Sequence, residues 1–470
     1  MTAHLEARER RHDMNFPTPP FRPGAWLRRL FGTALLTLMP FLAAPAAATE
    51  LFSPEPVAVF RQPECGLWEC VERLRDSHPM MKPEPFAPPS MILDPSLRKW
   101  FGDTSTPPSG EFLLHCARGY KRRTLRNPVL LVHGAGDNAN RAWLHPQDHL
   151  MPSKIDPDKR GFALWLAEMG YATFAVTFAH NQGDNIMQAE QIANAIRRIR
   201  IIMRRTNDPT FKVDVIAHSK GNVATRIYLS DMKALFPEKP WLTPYRGDVR
   251  TYVAIASPFR GIDIPFRYYL YNLTVTQQPD EINSPVAADY LMSAMGWKDV
   301  RPRSVFAKTP NYFPGQAQLL FNLARDAGVD LGPDSATPGD ANLTANTLYF
   351  GGSSLYVRSR GIDAAIKAGG RLIYRLEERG IDPSVRLGVI AGRSKYIAKY
   401  IKGLGYFPMP WEIVGQPSDG VVLLASSLST DGILRRGAKL LGKAIFDLNH
   451  IFVGFDRTVL EQIDTWLLTR

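Results

Sequence analysis

Cysteine is scarce: Cys65, Cys70 and Cys116 are the only three in 470 residues. None sits in a C-x-x-C or mixed Cys/His spacing, which removes zinc-ribbon and dithiol redox chemistry from consideration. Three thiols leave one over if two pair, and their expected role is structural. Membrane-spanning runs are missing too. The apolar stretch from Leu30 to Ala44, LFGTALLTLMPFLAA, is short for a spanning helix and is interrupted by Pro40. There is no internal repeat and no nucleic-acid motif. Acidic residues are outnumbered, 45 Asp and Glu against 57 Lys and Arg, for a net charge of +12. That charge reads first as solubility. Its second reading is attraction to an anionic membrane surface.

What the N-terminus does contain is a targeting pattern. Arg28 and Arg29 precede the apolar stretch, and Ala46-Ala47-Ala48 offers a small-x-small cleavage site before Thr49. Residues 1–48 therefore read as a signal peptide. The expectation is an exported protein, periplasmic or extracellular, membrane-anchored if the segment is not cleaved.

Residues 49–125 are proline-rich and poor in periodicity, as in HPMMKPEPFAPP. They read as an N-terminal arm, with one short strand at FLLHC. From 126 onward the texture is that of an α/β domain. Apolar runs PVLLVHG, YATFAVTF, FKVDVIA and RTYVAIA alternate with helical segments. Continuous apolar strands separated by helices predict a mostly parallel sheet covered on both faces. The arginines at 197, 198, 200, 204 and 205 read as a solvated helix face. Residues 262–346 break the alternation with many aromatics and methionines. They are expected to be a cap-like insertion, or else a satellite core beneath a long excursion. VRLGVIAG resumes the sheet, and ILRRGAKLLGKAIF (433–446) reads as a late helix.

The chemistry concentrates at DVIAHSKGNV. Ser219 stands where a buried strand meets a helix, with small residues Ala217 and Gly221 two positions away on either side. A tight strand-to-helix turn needs small flanks, and a helix N-terminus favours developing negative charge. A serine hydroxyl needs a base, and the base needs an orienting acid, in the order Ser, acid, His on such a sheet. Of ten histidines only His450 follows Ser219. His218, next to the serine, reads as packing beside the turn. The acid is Asp419 in QPSDGVV, with Asp431 as the substitute; Asp447 lies too close to His450. Oxyanion donors would be the backbone N–H groups of Lys220 and of Ala135, after the strand ending VHGAGDN.

These motifs resemble those of secreted bacterial lipases and esterases of the α/β-hydrolase superfamily, class 2 lipases among them. The matching segments are PVLLVHGAG, VDVIAHSKGN, ASPFRG, PSDGVV and NHIF. HGAGDNA also resembles the corresponding loop of extracellular polyhydroxybutyrate depolymerases. The resemblance implies an α/β-hydrolase fold, a Ser219–Asp419–His450 triad and ester hydrolysis without a cofactor. Several relatives of this kind hold a structural calcium through aspartates near the acid and the base. Ile451 and Phe452 follow His450 here, and the stretch before Asp419 lacks an aspartate, so no metal is expected. The substrate class is an apolar acyl ester, lipid or polyester. A polyester depolymerase or acyltransferase would use the same triad. A non-catalytic envelope binding protein is the alternative of another class. Oligomeric state is not readable from the sequence.

Overall fold

The computed structural model describes residues 55–86, 90–122, 126–144, 160–267, 288–299, 313–331, 341–401, 405–410 and 416–469. Residues 1–48, read above as a signal peptide, lie outside these residues.

Among the described residues fifteen strands follow in chain order. The first seven are β1 (Ala58–Arg61), β2 (Cys70–Arg75), β3 (Glu111–Cys116), β4 (Val129–Val132), β5 (Thr173–Phe178), β6 (Val213–His218) and β7 (Val249–Ile255). Four short ones follow, β8 (Tyr290–Ser293), β9 (Gly296–Asp299), β10 (Gly352–Ser353) and β11 (Val357–Ser359). The last are β12 (Arg386–Gly392), β13 (Tyr396–Ile401), β14 (Gly405–Pro410) and β15 (Lys439–Phe446). Nine of them make one sheet in the order β1-β2-β3-β5-β4-β6-β7-β12-β15. From β5 to β15 every pairing is parallel. β3 runs antiparallel to both of its neighbours, and β1 antiparallel to β2. A mostly parallel sheet with crossed-over strand order and two reversed strands, β1 and β3, at its first edge is an α/β-hydrolase architecture.

Alternate residues of the central strands feed two cores, one on each face. After helices α1 (Pro95–Trp100) and α2 (Phe162–Glu168) come α3 (Asn185–Ile202) and α4 (Gly221–Leu229), and Leu130, Val132, Phe174 and Val176 pack with Ile192, Ile196 and Ile199 of α3 and with Ile227 of α4. Leu131, Ala175, Ile216 and Val253 pack on the other face, with Phe162 and Leu166 and with Val459 and Ile463 of the terminal helix. Both faces are dry, which is why these strands carry no polar alternation. Truncating a wholly buried residue such as Ile192 to alanine would cost about 2–5 kcal/mol.

Four sequence expectations need correction. The sheet does not start at residue 126: β1, β2 and β3 come from the proline-rich segment, so it is the sheet's first edge and not an arm laid over it. The signal was weak because CVERLR carries charge inward. Glu72 is buried and takes two hydrogen bonds from Arg198 of α3, at 2.6 and 3.1 Å. The same pair corrects the solvated-face reading of the α3 arginines at position 198. The segment 433–446 is no helix. Gly437, at φ +91°, ends a turn, and β15 then pairs in parallel with β12. As a half-exposed edge strand it lacks the continuous apolar run that marks the centre. Finally, the excursion between β7 and β12 runs to residue 385, past the expected 346.

Within that excursion β10, β11, β8 and β9 form a small sheet. Phe266, Leu320, Tyr349, Ile362 and Ile366 form a separate core. A wholly buried pair, Asp263 and Arg267 at 2.8 Å, takes a further bond from Tyr349 Oη and ties that core to the end of β7. A satellite core is therefore present. Tyr268, Tyr269, Tyr271 and Phe306 lie outside the described residues. The three cysteines are free and buried, and Cys70 and Cys116 stand opposite one another across β2 and β3. No helix among the described residues is long and apolar enough to cross a membrane.

Candidate active site

The turn between β6 and α4 holds Ser219 at φ +52°, a left-handed conformation that costs a non-glycine residue about 1–3 kcal/mol. Close packing enforces it. A Cβ on Gly221 would lie 2.4 Å from the His133 carbonyl oxygen, and one on Gly134 would lie 2.8 Å from Ser219 Cβ. Both glycines are therefore steric necessities of the turn. The backbone is pinned as well. Ser219 N–H donates to the Ile255 carbonyl at 3.0 Å. Asn222 Nδ2 donates to the carbonyls of Ser219 and Ile255, at 3.1 and 2.9 Å.

Strand ends deliver the other groups. His450 follows β15, and Asp419 lies between β12 and β15. His450 Nε2 stands 2.8 Å from Ser219 Oγ, and His450 Nδ1 stands 2.8 Å from Asp419 Oδ2. One neutral tautomer satisfies both contacts: Nδ1–H donates to the carboxylate, and Nε2 accepts the serine hydroxyl. Asp419 is itself immobilised. Its Oδ1 accepts the N–H groups of Val421 and Val422, at 2.9 and 2.7 Å, and its carbonyl accepts His450 N–H at 2.8 Å. Asp419 and His450 are thus locked together by main chain as well as side chain. Asp431 is exposed, and Asp447 pairs with Arg393 at the surface.

The two expected oxyanion donors flank the serine. His133 is buried with its tautomer fixed. Phe178 N–H donates to Nε2 at 3.2 Å, so Nδ1–H donates to the Gly134 carbonyl at 2.8 Å. A trans peptide points its N–H opposite its C=O, so this bond also aims the Ala135 N–H. The N–H groups of Ala135 and Lys220 donate to no acceptor among the described residues. Burial pulls the His133 pKa down to about 4, which keeps the ring neutral.

His218 does more than pack. Its Nε2–H donates to the His450 carbonyl at 2.8 Å, and the two rings lie 4.9 Å apart. Burial, with the neighbouring His450 adding to it, lowers its pKa to about 4. It therefore clamps the loop that carries His450. Sequence reasoning misses this because the contact joins residues 232 positions apart. Asn222 is missed for a different reason: SKGN shows a polar residue entering a buried helix, and that was a readable signal.

Residues 126–269 match the family described as lipase (class 2). The segment includes the Ser219 turn and ends before Asp419 and His450. Among solved structures, the mature lipase BlEst2 of Bacillus licheniformis is similar at 13% identity, covering 75% of this chain and 97% of its own, with a TM-score of 0.36. The lin2722 gene product of Listeria innocua is similar at 16% identity, covering 73% of this chain and 95% of its own, with a TM-score of 0.32. A membrane phospholipase A, described as a bacterial virulence factor, is similar at 13% identity, covering 76% and 82%, with a TM-score of 0.32. No curated protein sequence matches the chain. The sheet order is that of an α/β-hydrolase fold, and across the strand-to-helix turn the chain is similar to class 2 lipases over residues 126–269.

Proposed function

We propose that this protein is a serine carboxylic-ester hydrolase acting on apolar acyl esters, exported by its N-terminal segment. Ser219 Oγ attacks the ester carbonyl as His450 Nε2 takes its proton. Asp419 holds the imidazole tautomer and stabilises the imidazolium. The N–H groups of Ala135 and Lys220 receive the oxyanion, and His450 then protonates the leaving alcohol. Water repeats the sequence on the acyl-enzyme and frees the acid.

One observation carries this reading: the hydrogen-bonded run Asp419–His450–Ser219, with both links at 2.8 Å, ending on a serine held at positive φ. Strain of that kind persists where the surroundings over-determine it, most often at functional sites. Apolar acyl chains are favoured by the exposed apolar side chains of the excursion, Met295 and Leu355 among them.

The test is hydrolysis of p-nitrophenyl esters of increasing chain length, triglyceride and polyhydroxybutyrate by the mature protein. Labelling with a fluorophosphonate probe runs alongside. Ester turnover with labelling of the wild type, and none of the Ser219→Ala variant, is the expected result. An unlabelled wild type that turns over no ester would make it a binding protein on a hydrolase fold.

A further inference from the structure

Lys220 supplies a backbone N–H to the proposed oxyanion site, but its side chain turns the other way and is 1% exposed. Nζ donates to Gln188 Oε1 of α3 at 2.5 Å. The Gly315 backbone closes over it: a Cβ there would lie 2.3 Å from Lys220 Cε and 2.3 Å from the Gly183 carbonyl oxygen. Two carboxylates act on the ammonium through space. Glu84 comes from the proline-rich segment, and Asp184 caps α3. Glu84 is fixed beside Asp184, whose N–H it accepts at 2.7 Å. The remaining titratable neighbours are His133 and His180, both held neutral by burial with pKa values lowered to about 4. Burial also pulls the Lys220 pKa down to about 7 and pushes Glu84 up to about 7.

A buried ammonium without a direct carboxylate partner is costly. Lys220 is also the N-cap residue of α4, the helix end whose dipole favours anions and opposes cations. Packing alone would be better served by methionine. Negative charge developing on the carbonyl oxygen during acyl transfer is the one event at this turn that gains from the cation.

We propose that the Lys220 ammonium is an electrostatic positioning group for the oxyanion site, and that Glu84 of the proline-rich segment, with Asp184, holds it in charge. This rests on the hydrolase reading above. Glu84, Asp184 and Gly315 belong to three segments that meet at Lys220, so the sheet's first edge and the excursion both tune the site.

The experiment is the pH profile of kcat on a soluble p-nitrophenyl ester from pH 6 to 10, for wild type, Lys220→Met and Glu84→Gln. The wild type should lose rate on the alkaline side as the ammonium deprotonates. Lys220→Met should be slower by about 10-fold at pH 6, less than for loss of a direct oxyanion donor, and should lack that alkaline limb. Glu84→Gln removes the anion that raises the lysine's pKa, so its alkaline limb should move to lower pH, with KM little changed. If Lys220→Met does not fold, the Glu84→Gln limb decides. Parallel profiles, differing only by a constant factor, would overturn the proposal. Fluorophosphonate labelling separates the two failures. A labelled enzyme with parallel profiles sinks only the lysine's role, whereas an unlabelled wild type sinks the hydrolase reading itself.

Discussion

The sheet and the excursion between β7 and β12 solve opposite problems. The sheet hides nearly all of its large apolar side chains and holds positive-φ non-glycine residues at two neighbouring strand ends, Ser219 after β6 and Ala256 after β7. The excursion builds a small core and leaves Met292, Met295, Leu343, Phe350, Leu355 and Tyr356 exposed. β8 and β11 are antiparallel neighbours, and Met292 N–H donates to the Tyr356 carbonyl. The turn carrying Met295 and the turn carrying Leu355 and Tyr356 therefore lie at the same end of the small sheet. One region holds geometry fixed for chemistry. On the proposed function, the other offers apolar surface to whatever brings the substrate. If that division is right, mutations in the two regions should separate catalysis on soluble esters from catalysis at interfaces.

The largest effect belongs to the sheet. Ser219→Ala should lower kcat by a factor on the order of 10⁶ while the fold persists, since only a hydroxyl is lost. Ser219→Gly should be equally inactive yet more stable, by roughly 1 kcal/mol, because glycine adopts positive φ without strain. A Ser219→Gly protein with a lower melting temperature would show that the turn is not strained. Next comes Asp419→Asn, expected to cost about 10⁴ in kcat by forcing the wrong imidazole tautomer. Asp431→Asn should be silent. A reversal of that order would move the acid to Asp431 and break the proposed triad.

How much of this was legible beforehand follows the same division. Strands β4 to β7 and β12 could be read because burial on both faces leaves unbroken apolar runs. Ser219 and His450 stood out because the turn demands small flanks and a single histidine follows it, and the fold brings the two within hydrogen-bond distance. Asp419 was readable as the polar turn after the last clear strand. β2 hid its place because Glu72 points inward to Arg198, a pairing 126 positions away that no local pattern encodes. β15 hid because an edge strand needs only half an apolar pattern. The His218 clamp and the Glu84–Lys220 proximity are contacts between distant segments. They arise from topology, and only the assembled sheet reveals them.

The excursion should answer to a different assay. Replacing Met295 and Leu355 by serine removes exposed side chains whose burial in a lipid surface would be worth roughly 1.5–3 kcal/mol each. Activity on emulsified triglyceride should fall several-fold, while kcat/KM on a short soluble ester stays within error. Equal losses on both substrates would mean that these residues support the fold or the site. No loss on either would leave them ordinary surface.

The smallest effect concerns acid stability, and it too should divide the molecule. His115, His133, His180 and His218 are packed into or beside the central sheet, whereas residues 262–385 contain no histidine. Burial lowers the pKa of His115 to about 3 and of the other three to about 4, against 6.5 for the free side chain. Between pH 6.5 and 4 the unfolded chain therefore binds protons that the folded chain refuses. Each refused proton removes about 1.4 kcal/mol per pH unit as pH falls. Asp76 and Glu84 oppose this. Burial raises them to about 6 and about 7, so the folded state holds their protons first and gains stability on the way down. Four histidines outweigh two carboxyls, so the melting temperature should drop from pH 7 to pH 5. His115→Gln should flatten that slope. Hydrogen exchange at pH 5 should accelerate in β3 to β6 before it does in the core around Tyr349 and Ile366. A melting temperature that stays level, or exchange that rises first in the excursion, would mean that the buried histidines do not set the acid limit of the sheet.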